Sequence, residues 1–455
     1  MERDLTRGSI TKMLLVFAAP MILGNLLQQC YTIADTFIVG KYIGVDALAA
    51  VGSTYTLMTF LTSILIGLCM GSGAICSACR GGGQEQRLRE TASASFLING
   101  SIAVLLNGAA LLLMDWILKV LNTPLDVWDM TRDYVQIMLY GLVFIYLYNY
   151  FAFYLRALGN SVLPLCFLGV ASVANILLDL LFVVVFQWGI RGAAFATVLS
   201  QAGAGLGLAV CTWVKKPELS PGRQMVHAVR AVFQRGGVQE LLRQSLSASA
   251  QQSVMNFGIL MIQGLVNSFG TAVMAAFTAA VKIDSFAYMP AQEFGNAFSL
   301  YISQNYGANN RERIQQGTKR AMQISMLFCA VVSVLVFVMA PALMQIFIAP
   351  EELEIIEIGV TYLRIEGACY CGIGVLFLLY GYYRGIGKPG MSLILTVISL
   401  GTRVVLAYLL APVPAIGVLG IWTAIPIGWL LADVVGLAYR RRSLRLLQSA
   451  GRCER

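Results

Sequence analysis

Uncharged apolar runs of membrane length decide the fold class of this chain. Met13 to Ala34, Thr91 to Met114, Tyr134 to Leu155, Gly192 to Val214 and Ala321 to Pro350 contain no Asp, Glu, Lys or Arg. Each reaches or exceeds the ~20 residues that a helix needs to cross the hydrocarbon core. Barrel strands are only about half that long, so the class is all-α integral membrane. Charged residues make up 12% of the 455, against about 25% in soluble domains. The first run follows Arg3, Arg7 and Lys12 but continues past any small-residue cleavage site into a polar, acid-containing end. It reads as a retained helix, not a signal peptide.

Twelve spans fit the pattern: 12–38, 46–79, 91–114, 133–156, 161–186, 191–214, 240–268, 272–304, 319–345, 361–384, 390–411 and 417–438. Most Lys and Arg then fall on one side, which the positive-inside rule makes cytoplasmic together with both termini. The opposite loops are acidic, with Asp126 and Asp129 in one and Glu351, Glu352 and Glu354 in another. The net charge of +9 therefore reports topology and contact with anionic membrane lipid, and no nucleic-acid partner is expected. The longest polar link, Lys215 to Arg243, divides the spans six and six. The expected organisation is an N-terminal lobe at 1–214, a cytoplasmic linker at 215–239, a C-terminal lobe at 240–440 and a basic tail at 441–455.

The two halves share a script. Arg156-Ala157-Leu158-Gly159 up to Gly189-Ile190-Arg191-Gly192 corresponds to Arg384-Gly385-Ile386-Gly387 up to Gly417-Val418-Leu419-Gly420, at a constant shift of 228 with no gap. Such a repeat predicts two pseudo-symmetric six-helix lobes. The copies differ in their polar content: Asn175, Asp179 and Thr197 correspond to Arg403, Ala407 and Ile425.

Acids inside a bilayer are expensive and point to function. With a rise of about 1.5 Å per residue, Asp35 of span 1, Asp179 of span 5 and Thr197 of span 6 all lie roughly 9 to 12 Å below the outer loops. Asn175 precedes Asp179 by one turn and shares its face. Two carboxylates, an amide oxygen and a hydroxyl make an all-oxygen set that suits Na⁺ and equally a proton. Two carboxylates cannot both stay charged cheaply in a low dielectric, and cation or proton entry relieves their repulsion.

Specific stretches carry a resemblance to a known family: Ala34-Asp35-Thr36-Phe37-Ile38-Val39-Gly40, Asn175-Ile176-Leu177-Leu178-Asp179, Gly189 through Thr197, and Lys282-Ile283-Asp284-Ser285-Phe286-Ala287-Tyr288-Met289-Pro290-Ala291-Gln292. Over essentially its whole length the chain resembles the multidrug and toxic compound extrusion (MATE) transporters, especially their DinF-like and MepA-like bacterial branches. The resemblance implies two six-helix lobes that alternate between outward and inward openings and export amphiphilic organic cations against Na⁺ or H⁺. It implies a cation site at Asp35, Asn175, Asp179 and Thr197, and a bend of the first helix at Pro20. A proline also removes a mid-helix hydrogen bond, so a soft point there follows physically.

The second half departs from the acidic pattern of NorM-like members. Gln251 and Gln252 stand in span 7, and span 10 offers only Glu366, so no C-lobe cation site is expected. Lys282, Asp284 and Glu293 of span 8 with Arg403 of span 11 are expected to form an internal charge network. Gln28, Tyr31, Tyr55, Tyr140, Met255, Gln252 and Met289 are candidates for an adaptable wall facing flat cationic substrates, because Met repacks and aromatic faces attract cations.

Other chemistries find little support. Cys76 and Cys79 offer half a zinc set with no second half, and the single histidine, His227, falls in the linker, so no metal beyond Na⁺ is expected. The chain lacks a GxxxxGK[ST] nucleotide loop and a nucleophile with its base, which argues against ATP drive and against an enzyme. The expected state is a monomer of the bacterial inner membrane, without cofactor apart from the coupling ion. The alternative is a flippase of lipid-linked precursors or polysaccharide with the same architecture, which would need a cavity rich in cationic residues.

Overall fold

The computed structural model describes residues 2–121, 123–216 and 223–453. Residues 217–222 of the expected linker and 454–455 of the expected tail lie outside the described residues. The first half holds α1 (Ile10–Tyr42), α2 (Val45–Gly81), α3 (Glu85–Leu112), α4 (Met114–Val120), α5 (Trp128–Ala157), α6 (Val162–Asp179) and α7 (Gly189–Lys215). Then come α8 (Arg223–Gln234), α9 (Gly237–Asn267), α10 (Thr271–Gly307), α11 (Arg311–Met344), α12 (Leu353–Gly367), α13 (Tyr370–Gly385), α14 (Pro389–Leu410) and α15 (Val418–Cys453). No strand occurs among the described residues.

Ten helices are long and apolar enough to cross a membrane, and α12 with α13, bent by 52° at their junction, form an eleventh. The expected span 361–384 thus falls across a bend between two helices. The remaining long helix, α9, has 31 residues, but its first half is diluted by Ser245, Ser247, Ser249, Gln251 and Gln252. The stretch expected as a linker contains α8, and Pro20 sits inside α1 with helix on both sides of it.

The glycine anchors of the repeat are real backbone stops. Gly159 and Gly387 adopt φ of 86° and 74° just past α5 and α13, the left-handed conformation that ends a helix at least cost to glycine. The capping bonds repeat as well: Asn160 N donates to Leu155 O at 2.9 Å, and Lys388 N to Tyr383 O at 2.8 Å. The sequence shift of 228 therefore reproduces one turn twice.

The helices sort into two compact units. The first comprises Met1–Gly8, Leu15–Ser253 and Ser303–Asn310; the second comprises Ser9–Leu14, Val254–Ile302 and Arg311–Arg455. The border cuts through α9 and α10, because glycines on α2 draw the first half of α9 and the last turns of α10 against it. A Cβ on Gly67 would lie 2.3 Å from Ser249 Cα, one on Gly71 2.4 Å from Gln244 O, and one on Gly81 1.8 Å from Gln304 O. Backbones this close leave room only for hydrogen. The N-terminal segment ties into the same corner: Leu5 N donates to Gln304 Oε1 at 3.0 Å, and Gln304 Nε2 donates to Ala157 O at 2.8 Å.

This crossing carries a prediction. In Gly81→Ala the alanine would gain about 1 kcal/mol of helix propensity, but its methyl meets backbone that cannot rotate away, and overpacking of this kind costs about 1–3 kcal/mol. A lowered midpoint of thermal unfolding in detergent is expected. A raised midpoint would mean that the close approach of α2 and α10 does not depend on the missing Cβ.

Candidate functional site

The first unit gathers Asp35, Asn175, Asp179 and Thr197 from α1, α6 and α7. Asp179 is the last α-helical residue of α6, which continues as a π-helical turn over Leu180–Val185. Such widened turns recur at functional positions because they offset the ladder of backbone bonds. Asp179 is 0% and Asn175 1% exposed, whereas Asp35 and Thr197 are half-buried. Asn175 Nδ2 donates to Thr197 Oγ1 at 3.5 Å, and that hydroxyl donates in turn to Ala193 O at 3.1 Å. The amide thus spends its NH₂ on α7 and leaves its oxygen free.

Four buried oxygens have no hydrogen-bond partner: Asp35 Oδ1, Asn175 Oδ1 and both carboxylate oxygens of Asp179. The two carboxyl groups come within hydrogen-bonding reach of each other, yet two ionised carboxylates are acceptors only. A proton or a cation between them is what satisfies the geometry. Tyr31 and Tyr134 stand beside the pair, and no ion pair links either acid to Lys or Arg among the described residues. The set is oxygen-only, which fits a hard monovalent cation and not a site built on Cys or His.

An apolar cluster fills the space next to the acids on one side. Ile38 and Val39 follow Asp35, Val183 follows Asp179, Ala193 and Ala194 precede Thr197, and Ala47, Ala50, Val127, Tyr134 and Ile190 complete the packing. On the other side lies a cavity with about 1120 Å³ of empty space, counting its open mouth. Gln28, Tyr31, Thr32, Asp35 and Thr36 of α1 line it, with Thr54, Tyr55, Met58, Thr59 and Thr62 of α2, Tyr134, Met138, Tyr148 and Asn149 of α5, and Thr197 and Gln201 of α7. Gln201 Nε2 donates to the Tyr31 hydroxyl at 3.3 Å, bridging α7 to α1 one turn from Thr197 and Asp35. Among the described residues lining the cavity, Asp35 is the sole charged side chain.

Of the expected wall, Gln28, Tyr31 and Tyr55 face this cavity. Tyr140 is exposed and accepts the amide of Gln136 at 3.1 Å. Gln252 and Met255 are half-buried on α9 and Met289 is buried on α10, and none of the three lines it. The sequence reading missed Met58, Tyr134, Met138, Tyr148, Asn149 and Gln201. Their signal is helical spacing: 134, 138, 145, 148 and 149 fall on one face of α5, as 51, 54, 55, 58, 62 and 66 do on α2.

The expected C-lobe network divides in two. Asp284 of α10 faces Glu366 of α12 and Tyr370 of α13, with Arg403 of α14 close enough to attract both acids. Asp284 and Glu366 are buried. Glu293 lies instead beside Arg384, which donates from Nε to Ser299 Oγ at 3.0 Å and from NH2 to Asn296 Oδ1 at 2.9 Å. Lys282 is exposed. Helix geometry explains the sorting: residues 293, 296 and 299 share a face of α10, while 282 and 284 point about 200° apart. Glu366, which the sequence offers as the acid of span 10, is buried beside the break between α12 and α13.

Comparison with known proteins identifies the fold. The MatE family model matches residues 20–181 and again 248–409, displaced by the same 228 residues as the internal repeat. The probable multidrug resistance protein YpnP of Bacillus subtilis is 30% identical over 397 residues, covering 87% of each chain. YoeA, also a probable multidrug resistance protein of B. subtilis, is 26% identical and covers 97% of each. A solved outward-facing MATE multidrug resistance transporter of the MOP superfamily matches with a TM-score of 0.87 at 24% identity over 98% of both chains, which gives this chain the same all-α, twelve-helix, two-lobe fold. With the family model covering both halves, the chain belongs to the MATE family of multidrug efflux transporters, which are membrane carriers and not enzymes.

Proposed function

We propose that this chain is a cation-coupled antiporter that exports amphiphilic organic cations by alternating access, with Na⁺ or H⁺ as the returning ion. One observation carries the reading: four partnerless buried oxygens from α1 and α6 gather beside a large cavity, and among the described residues that line it the one charged group is one of the same carboxylates, Asp35. An organic cation in the cavity and an inorganic one between the acids then draw on the same negative charge. Competition of that kind is exchange.

In the mechanism, Asp35 and Asp179 take up Na⁺ or H⁺, while the Asn175 oxygen and the Thr197 hydroxyl complete its shell. Neutralising the acids removes what holds an organic cation against Tyr31, Tyr55, Tyr134 and Tyr148, whose faces attract cations only weakly, by about 0.5–2 kcal/mol. Coupling requires that ion affinity differ between conformations. The π-helical turn after Asp179 and Pro20 in α1 are the places where these helices can change shape with least loss of hydrogen bonding. The basic side of the chain is cytoplasmic, the membrane is the bacterial inner membrane, and the working unit is one chain.

A flippase for anionic lipid-linked precursors would need cationic lining, and this cavity has none among its described residues. Proteoliposomes test the proposal. An inward-directed Na⁺ or H⁺ gradient, imposed separately, is expected to drive ethidium uphill with one ion and not the other. Equal transport with both gradients collapsed would leave a passive pathway in place of an antiporter.

A further inference from the structure

α8, in the stretch between α7 and α9, has two apolar faces. Met225 and Val232, seven residues apart, are buried in the contact with α3, and Arg235 just past the helix pairs with Glu90 of α3 at 2.7 Å. Val226 and Phe233 are also seven apart, about 100° further round the helix, and are 64% and 59% exposed. Exposed Arg230 lies between them. Seven-residue spacing aligns the three on one stripe two turns long. An exposed valine and phenylalanine with an arginine at their centre suit neither water alone nor a protein core.

The chain itself limits what can cover this stripe. Seven residues separate the end of α7 from the start of α8, a reach of about 25 Å at most. Only Arg235 and Gly236 separate α8 from α9. α8 is therefore held at the level where α7 leaves the bilayer and α9 begins, and its buried face is already committed to α3. The sequence around it is basic, with Lys215, Lys216, Arg230, Arg235 and Arg243. The occupant has to be apolar on one level and anionic just above it, which is the boundary between acyl chains and acidic headgroups.

We propose that α8 is an interfacial helix: Val226 and Phe233 seat in the acyl boundary of an anionic leaflet, and Arg230 binds the lipid headgroups. The helix would tie the junction between the two sequence halves to the membrane surface. Through the Arg235–Glu90 pair it would tie α3 to that surface as well.

Hydrogen–deuterium exchange of the full-length protein tests this in nanodiscs of phosphatidylcholine alone and of phosphatidylcholine mixed with phosphatidylglycerol. The amides of 223–235 are expected to exchange about fivefold more slowly in the anionic discs, the effect of one engaged arginine. Arg230→Gln should abolish the difference between the two discs. Val226→Ser combined with Phe233→Ser should give fast exchange in both, with an unchanged unfolding midpoint because Met225, Val232 and the Glu90 pair are untouched. Equal wild-type exchange in the two discs would overturn the proposal. So would protection that follows the number of protein copies per disc instead of lipid charge, which would assign the stripe to a second copy of the chain.

Discussion

Asp179→Asn is expected to abolish gradient-driven efflux and at the same time to raise the thermal stability of the protein. The side chain is fully buried, neither of its oxygens has a partner, and it faces a second carboxylate. An amide of the same shape removes that repulsion and can donate to Asp35, and a buried polar group left unsatisfied costs about 1–3 kcal/mol. Stability should therefore rise by an amount of that order. The coupling free energy of a two-site exchange is about 1–3 kcal/mol, or about 5- to 150-fold, and without the second carboxylate the accumulation ratio for ethidium should fall to about one. Asp35→Asn should behave alike, with a further loss of affinity for organic cations because it removes the one charge among the described residues lining the cavity. Efflux from proteoliposomes and thermal midpoints in detergent read both effects. A variant that is less stable and also inactive would make Asp179 a structural residue; wild-type export in both variants would remove these acids from the mechanism.

Arg403→Ala is expected to have the opposite signature, a large loss of stability in the second unit. Asp284 and Glu366 are buried together there, and the guanidinium is the cation that attracts both. Removing one partner of a buried charge cluster costs about 3–5 kcal/mol, because the remaining charges stay desolvated. The double variant Arg403→Ala with Glu366→Gln should recover at least about 1 kcal/mol of that loss, since neutralising one acid removes the need for the cation. Additive effects in this cycle would show that Arg403 and Glu366 do not act on each other. The comparison matters because the repeat places Arg403 where the first half has Asn175: an arginine stands close enough to attract the acids of the second half, whereas no arginine or lysine pairs with Asp35 or Asp179 among the described residues.

The fold class was legible because membrane solvent imposes it one segment at a time. A run such as Ala321 to Pro350 has to be a helix whatever its neighbours do, since no water is present to satisfy its backbone. The repeat was legible for a similar reason, because Gly159 and Gly387 record a local backbone conformation. The cation-site residues could be proposed from the resemblance and from depth along each helix, since Asp35, Asp179 and Thr197 need only a rise per residue to be set at one level.

Which side chains meet across helices was a different matter. Periodicity gives the face of a helix but not the partner it turns toward, so Glu293 went to Arg384, Asp284 went to Glu366, and Tyr134, Met138 and Tyr148 joined the cavity wall unannounced. The π-helical turn after Asp179 also has no local signature in Leu180–Val185. The membrane class, the duplication and the residue types able to hold a cation could all be read along the chain, because each depends on solvent or on backbone within a few residues. Packing between helices brought the partnerless oxygens of Asp35, Asn175 and Asp179 together beside a cavity whose described lining carries one charge. That depends on rotation and packing between helices more than a hundred residues apart, which no local pattern encodes.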